Sequence, residues 1–255
     1  MTDFVLYNAP QSTCSQRVRF VLNAKRLAFV EHKLDLFAGD QLKPDYLKIN
    51  PNGVVPTLVH RGQVVTDSAV IIEYLDEVFP DPERFVPKDA VERAQMRSLM
   101  RFIDEVPTPA IRVPSYNLAF LDHFRSMSEE DFIALAESKP LRKEFLLKMG
   151  RTGFPKEEMD ASLDRLSRGI ARMHNTITQS GGPWLMGANL TLADIAVMPV
   201  IVRMDDINLN HMWENKPSID RWLEAIKAHP AYSATYYFGS LLTEKYPHLK
   251  RELDT

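Results

Sequence analysis

The sequence predicts an α+β chain in two parts, a small α/β domain followed by a larger all-helical one. Three observations carry this. From Phe4 to Phe79 the segments are short and alternate between strand-like and helical patterns. "PDPERFVPKD", Pro80 to Asp89, then places three prolines in ten residues, the mark of a connection. Beyond it the apolar residues recur almost throughout with helical period. The expected division is a first domain over 1–80, a linker over 81–91 and a helical domain over 92–255.

The elements follow in order. "FVLYN" is an apolar, strand-like run, and Val18, Val21, Leu22 and Lys25 then fall on helical spacing. "FVEHKLDL" predicts a strand and "KPDYLKI" a short helix. "PTLVHRGQVVT" predicts two strands around a turn at Arg61-Gly62. "DSAVIIEYLDEVF" is a helix capped by Asp67 or Ser68. The order is βαβαββα. Helices are then expected in "AVERAQMRSLMRFIDEV", "MSEEDFIALAESK" with Ser128 as cap, "PKEEMDASLDRLSRGIARMHNTI", "TLADIAVMPVIVRMDDI" and "PSIDRWLEAIKAH".

Composition narrows the partners. The 255 residues are 45% hydrophobic and 25% charged, an ordinary globular profile with ample material for a core. The net charge of -3, with no basic stripe, argues against nucleic acid. The longest strongly apolar stretch, Ile195 to Val202, is too short to span a bilayer and contains Pro199, so no membrane partner is expected. A single cysteine, Cys14, fits a reducing compartment, and the first ten residues lack the pattern of a secretory leader. The expectation is a cytoplasmic protein. The seven histidines show no metal-ligand spacing, so no metal is expected.

Two motifs carry binding chemistry. In "NPNGVVPTLV", Pro56 precedes a strand, where a residue unable to donate a ladder bond is tolerated, and Val55 is pushed extended. Were the bond between them cis, the Val55 backbone could pair with an extended peptide. In "TDSAVI", Asp67 and Ser68 open a helix whose unpaired N–H groups and positive dipole end hold a carboxylate. Asp67 can accept from a neighbouring ammonium, so the pair fits an α-amino-acid head group. Read alone, the simpler account of each is structural: a turn proline and a helix cap.

Together, in a βαβαββα frame with a helical partner domain, the motifs resemble the glutathione transferase family. The resemblance covers the whole chain and implies a thioredoxin-like first domain and glutathione as co-substrate. It implies that glutathione is bound by Gln41, Val55, Pro56, Asp67 and Ser68. "LTLADIAV" supports it, since the family has a capping box and a buried aspartate there, here Thr191 and Asp194.

"LYNAPQSTCSQRVRFVL" resembles, without a gap, the zeta-class pattern of the loop that activates the glutathione thiol. On that match Ser12 holds the catalytic serine position, Thr13 the neighbouring hydroxyl and Cys14 the class cysteine. A free thiol with a pKa of ~8.5 is only roughly 3% thiolate at neutral pH. A helix N-terminus and one hydroxyl donor lower that by about two units, making the nucleophilic thiolate the majority form. Ser12 ranks first for this task and Ser15 is its rival. A capping box of Thr13 with Gln16, or Ser12 with Ser15, would make some of these hydroxyls structural. Cys14 reads as a packed or auxiliary residue, and Tyr7 as a core strand residue.

Within the family, the arginine that zeta isomerases use for a substrate carboxylate aligns with Asp206, whose repulsion speaks against that activity; a shifted alignment brings Arg203 nearby. The "INP-G-VP" loop at Ile49 to Pro56, the stretch from Val65 to Pro80, and "GFP" at Gly153 to Pro155 resemble the bacterial lignin β-etherases. That resemblance implies cleavage of a β-aryl ether beside a ketone, yielding a glutathione thioether and a phenol. Tyr116, Phe120 and Phe124, at i, i+4 and i+8, are the candidates for the aromatic substrate pocket, with helix core or dimer packing as the alternative. His123 is read as a packing or surface histidine. A general or isomerase-type transferase and a non-catalytic subunit are the other readings. The family implies a homodimer, or in some β-etherases a dimer of unlike subunits.

Overall fold

The computed structural model describes residues 3–253. Its first part runs β1 (Phe4–Asn8), α1 (Thr13–Ala24), β2 (Phe29–Lys33), a 3-10 turn at Asp40–Leu42, α2 (Pro44–Ile49), β3 (Thr57–His60), β4 (Gln63–Thr66) and α3 (Ser68–Val78). The strands form one sheet in the order β2-β1-β3-β4. β1 is parallel to β2, with Phe4 opposite Phe29; β3 is antiparallel to both β1 and β4, with Thr57 opposite Thr66. Arg61 and Gly62 both take positive φ, 51° and 79°, as a two-residue hairpin turn requires. This is the thioredoxin-like arrangement that was expected. One strand is shorter than its sequence suggests: β2 stops at Lys33, and "LDL" turns away once Leu34 N–H has bonded Asn8 C=O at 2.8 Å.

The connection is docked against the first domain. Phe85 and Val86 are buried, and their N–H groups donate to the Asp76 carboxylate at 2.9 and 3.0 Å. Lys25 Nζ closes the cluster at 2.8 Å from Asp76, with both side chains fully buried. The strap therefore carries its own hydrogen bonds and an ion pair, which a free linker would lack.

The second part is helical. α4 (Ala90–Glu105) is followed by α5 (Pro107–Ala110), α6 (Arg112–Ser115), a π-turn at Tyr116–Phe120 and α7 (Asp122–Arg125). Then come α8 (Glu129–Glu137), α9 (Lys143–Met149), α10 (Lys156–Ser180) and α11 (Leu192–Asp206). A 3-10 turn at Asn210–Trp213, α12 (Pro217–Ala228), α13 (Ala231–Thr235), α14 (Leu242–Lys245) and α15 (His248–Leu253) complete it. α8 is capped by Ser128, whose hydroxyl accepts from Asp131 N–H at 3.0 Å. α11 is the central helix, buried from Leu192 to Met204. Thr191 and Asp194 form its capping box. Asp194 also accepts from Leu185 N–H at 2.8 Å and from the Trp222 indole at 2.9 Å. This fully buried carboxylate is thus compensated by hydrogen bonds rather than by a cation.

One apolar cluster runs through both parts, from Leu6, Val21 and Ile71 to Ile195, Met198 and Trp222. α1 sits at the seam, packing on α3, α11 and α13. Two of its arginines are buried there. Arg17 donates to Ala196 C=O at 2.8 Å, Ser68 Oγ at 3.3 Å, Asp104 at 2.6 Å and Thr108 Oγ1 at 3.0 Å. Arg19 bonds Asn8, the Pro10 carbonyl and the Thr235 carbonyl.

Candidate active site

A cavity of about 360 Å³ opens between the two domains at the N-terminus of α1. Its floor is the loop from Ala9 to Cys14, and Leu34 to Phe37, Gln41 and Asn52 to Val55 form one side. The helical domain supplies the opposite wall through Ile111, Arg112, Ser115, Tyr116, Phe120, Arg142 and Leu146.

Ser12 is the N-cap of α1. Its hydroxyl oxygen accepts from Ser15 N–H at 3.2 Å, and its own N–H bonds Ala9 C=O at 3.0 Å. The Ser12 O–H remains available to donate, beside first-turn amides of Thr13 and Cys14 that have no intrahelical acceptor. Ser12, Thr13 and Cys14 all line the cavity. Ser15 does not: it has no exposed surface, and its hydroxyl accepts from Ala9 N–H at 3.3 Å. Neither reciprocal capping box forms, because the Ser15 hydroxyl is held by Ala9 and the Gln16 amide donates to the Pro10 and Ser240 carbonyls. Tyr7 lies away from the cavity, stacked on His32 with ring centroids 4.8 Å apart.

The Val55-Pro56 bond is cis, and Val55 lines the cavity whereas Pro56 does not. Gln41 also lines it. Its amide donates to Leu36 C=O at 3.2 Å, and its buried Oε1 has no partner. Asp67 caps α3 through Ala69 and Val70 N–H, at 2.9 and 3.2 Å. Ser68 is buried, its hydroxyl accepting from Arg17 at 3.3 Å. Neither residue lines the cavity; they lie where α1 carries Arg17 across to the start of α3.

The expected aromatic pocket needs a correction. Tyr116 and Phe120 line the cavity, 5.0 Å apart between ring centroids, and Phe37 faces Phe120 at 5.1 Å. Phe124 does not line it; it is buried at 2% exposure against Phe132. Its ring still stacks on Tyr116, 6.2 Å between centroids, and lies 6.0 Å from Phe37, so Phe124 belongs to the same aromatic cluster but sits beneath the rings that line the cavity. His123 stacks on Phe37 with centroids 3.9 Å apart, and burial lowers its pKa.

Asp206 also sits elsewhere than expected. It does not line the cavity; it accepts from Leu242 N–H and the Thr243 hydroxyl, each at 2.6 Å, and caps α14. Arg203, one turn earlier, does line it, donating to Gln11 C=O at 2.6 Å. Asp206 therefore repels no substrate at that place.

The cationic character of the cavity was not visible in the sequence. Lys33, Arg112, Lys139, Arg142, Arg203 and Lys245 line it, against one acid, Asp35. They come from five separate stretches of chain, so no local charge run announces them. Among the described residues no group of three or more metal-ligating side chains occurs. No helix among them is long and apolar enough to cross a membrane.

A thioredoxin-like sheet carrying an N-capped hydroxyl and a cis-proline loop, with a helical domain over the cleft, defines a glutathione-using transferase. The family models described as "Glutathione S-transferase, N-terminal domain" and "Glutathione S-transferase, C-terminal domain" match residues 11–78 and 145–236. The chain belongs to the glutathione S-transferase family. It is 30% identical over 233 residues to Protein LigF of Sphingobium sp. strain SYK-6, covering 89% of this chain and 90% of that one. It is 28% identical over 232 residues to a probable maleylacetoacetate isomerase of Caenorhabditis elegans, covering 91% and 92%. The crystal structure of "Beta-etherase LigF" from the same Sphingobium strain superposes with a TM-score of 0.83 at 27% identity, over 92% of this chain and 99% of that one.

Proposed function

We propose that this transferase is a β-etherase, cleaving β-aryl ethers of lignin-derived aromatic α-keto compounds with glutathione. The observation that carries this reading is the meeting of Ser12 and the α1 N-terminus with the Tyr116, Phe120 and Phe37 rings in one cavity. Likeness to Beta-etherase LigF over nearly the whole chain supports it.

In this reading the Ser12 hydroxyl and the Thr13 and Cys14 amides stabilise the glutathione thiolate. Val55 pairs with the peptide backbone of glutathione beside Pro56, and Gln41 serves its other end. Asp67 and Ser68 take the γ-glutamyl head group, with the Ser68 hydroxyl oriented by Arg17. The thiolate attacks the carbon bearing the aryl ether, which the adjacent carbonyl activates. A C–S bond forms, the C–O bond breaks, and the aryloxide leaves with the electron pair. The proton lost from glutathione returns to it, so glutathione and ether give thioether and phenol. The apolar wall aligns the rings and excludes water.

The functional division is that of the sequence, 1–80 for glutathione and 92–255 for the electrophile. The working unit is a homodimer in the cytoplasm. Val64, Val70, Val78 and Val91, each more than 40% exposed, supply apolar surface for a partner.

A second reading draws on Arg203: a zeta-like isomerase acting on a small dicarboxylate. An assay of each enantiomer of an α-keto β-aryl ether, followed by phenol release, separates the two. Glutathione-dependent release from one enantiomer is the expected result. No release, together with isomerisation of a maleyl dicarboxylate, supports the second reading instead.

A further inference from the structure

The cavity holds more positive charge than glutathione accounts for. On the reading above, glutathione extends from Ser12 past Val55 toward Asp67 and Ser68. Gln41 and Lys139 both reach Leu36 C=O, at 3.2 and 3.4 Å, on that first-domain side. Lys33 is held by Glu31 at 3.6 Å, and Arg203 by Gln11 C=O at 2.6 Å.

Arg112 and Arg142 stand apart from these. Arg112 opens α6 and Arg142 precedes α9, so both belong to the helical wall that carries Tyr116 and Leu146. Arg142 donates to the carbonyl of its own neighbour, Leu141, at 2.8 Å, and neither arginine has a carboxylate partner among the described residues. Burial lowers the Arg142 guanidinium from its ordinary value, and repulsion from Arg112 adds to the effect. Two guanidiniums in one half-closed, partly apolar cavity repel each other and lose hydration. A carboxylate that accepts from both removes the repulsion and replaces the lost water bonds.

We propose that Arg112 and Arg142 form a carboxylate subsite for the electrophile, so that the preferred substrates are aromatic ethers that themselves carry a carboxylate. The inference rests on the transferase reading and narrows its substrate class. Tyr116, Phe120 and Phe37 take the arene, and the arginines take the anionic substituent on it. A neutral ether leaves both cations unpaired and binds less well.

The test uses two uncleavable probes, 4-phenoxybenzoate and 4-phenoxybenzamide. Their binding is measured by calorimetry on the full chain saturated with S-methylglutathione, so that the subsites for the carboxylates of glutathione are already filled. The carboxylate is expected to bind at least about tenfold more tightly than the amide. Arg112→Gln and Arg142→Gln should each remove most of that preference, and Arg142→Lys should restore part of it, with unchanged circular dichroism in all three. Equal binding of the two probes would overturn the proposal. So would equally tight binding of fumarate, which has no ring and points to the isomerase. A preference that survives both glutamine variants overturns it as well. Failure of S-methylglutathione to bind at all would instead break the underlying transferase reading. Loss of kcat on neutral and carboxylated ethers alike in the variants would place the arginines on the departing aryloxide, which also overturns the proposal.

Discussion

At the scale of single residues, the loop from Ser12 to Ser15 separates two hydroxyls that the sequence leaves as rivals. Ser12 is in the cavity and Ser15 lies beneath it, bonded to Ala9 N–H. Ser12→Ala should lower kcat/KM by about 10²-fold, the usual effect of deleting one preorganised donor. The pH-rate profile should move upward as the bound thiol becomes harder to ionise. Ser15→Ala should leave that profile in place and instead cost about 1–3 kcal/mol in denaturant unfolding, because the Ala9 N–H loses its acceptor. An unshifted profile in Ser12→Ala would remove it from the thiolate role. Ser12, Thr13, Val55 and Gln41 were legible as cavity residues because a helix start, a proline loop and a family pattern all act locally. Arg112 and Arg142 were not. A cation's role depends on which carboxylates fold near it, and neighbours in sequence do not reveal that.

At the scale of elements, the long periodic helices and the strand-turn-strand hairpin were legible, and the segment from Pro107 to Arg125 was not. Pro107, Pro109 and Pro114 lie where it breaks into single turns, and a π-turn at Tyr116–Phe120 precedes α7. Phe124 keeps to the Tyr116 and Phe37 cluster, as its spacing predicts, but lies beneath the lining rings, and depth is not a property that spacing gives. β2 ends early for a similar reason: the apolar alternation of "KLDL" continues where its hydrogen-bonding partner strand has ended. The capping box of α11 was legible, and its cost is measurable. Asp194→Ala strips the acceptor from Leu185 N–H, Thr191 N–H and the Trp222 indole, all buried. A loss of about 3–5 kcal/mol is expected in urea unfolding. A loss below about 1 kcal/mol would mean those donors find other partners.

At the scale of the whole molecule, α1 links the cavity, the interdomain seam and the start of α3 through Ser12, Arg17 and Arg19. Sedimentation at micromolar concentration should give a dimer of the 29.2 kDa chain; a monomer would leave the exposed valines of β4, α3 and α4 without the proposed partner. The two-domain frame was legible because the prolines at 80–89 punctuate a change of period. The docking of that strap on Asp76 was not, since it depends on backbone N–H groups that every sequence has. A β-etherase consumes glutathione in the cavity between the domains, and an isomerase returns it. The decisive measurement is the mass balance of glutathione during turnover of an enantiopure α-keto β-aryl ether, with thioether and phenol quantified together. One glutathione should be consumed and one thioether formed for each phenol released. Phenol release that leaves the glutathione pool undiminished and forms no thioether would contradict the etherase reading.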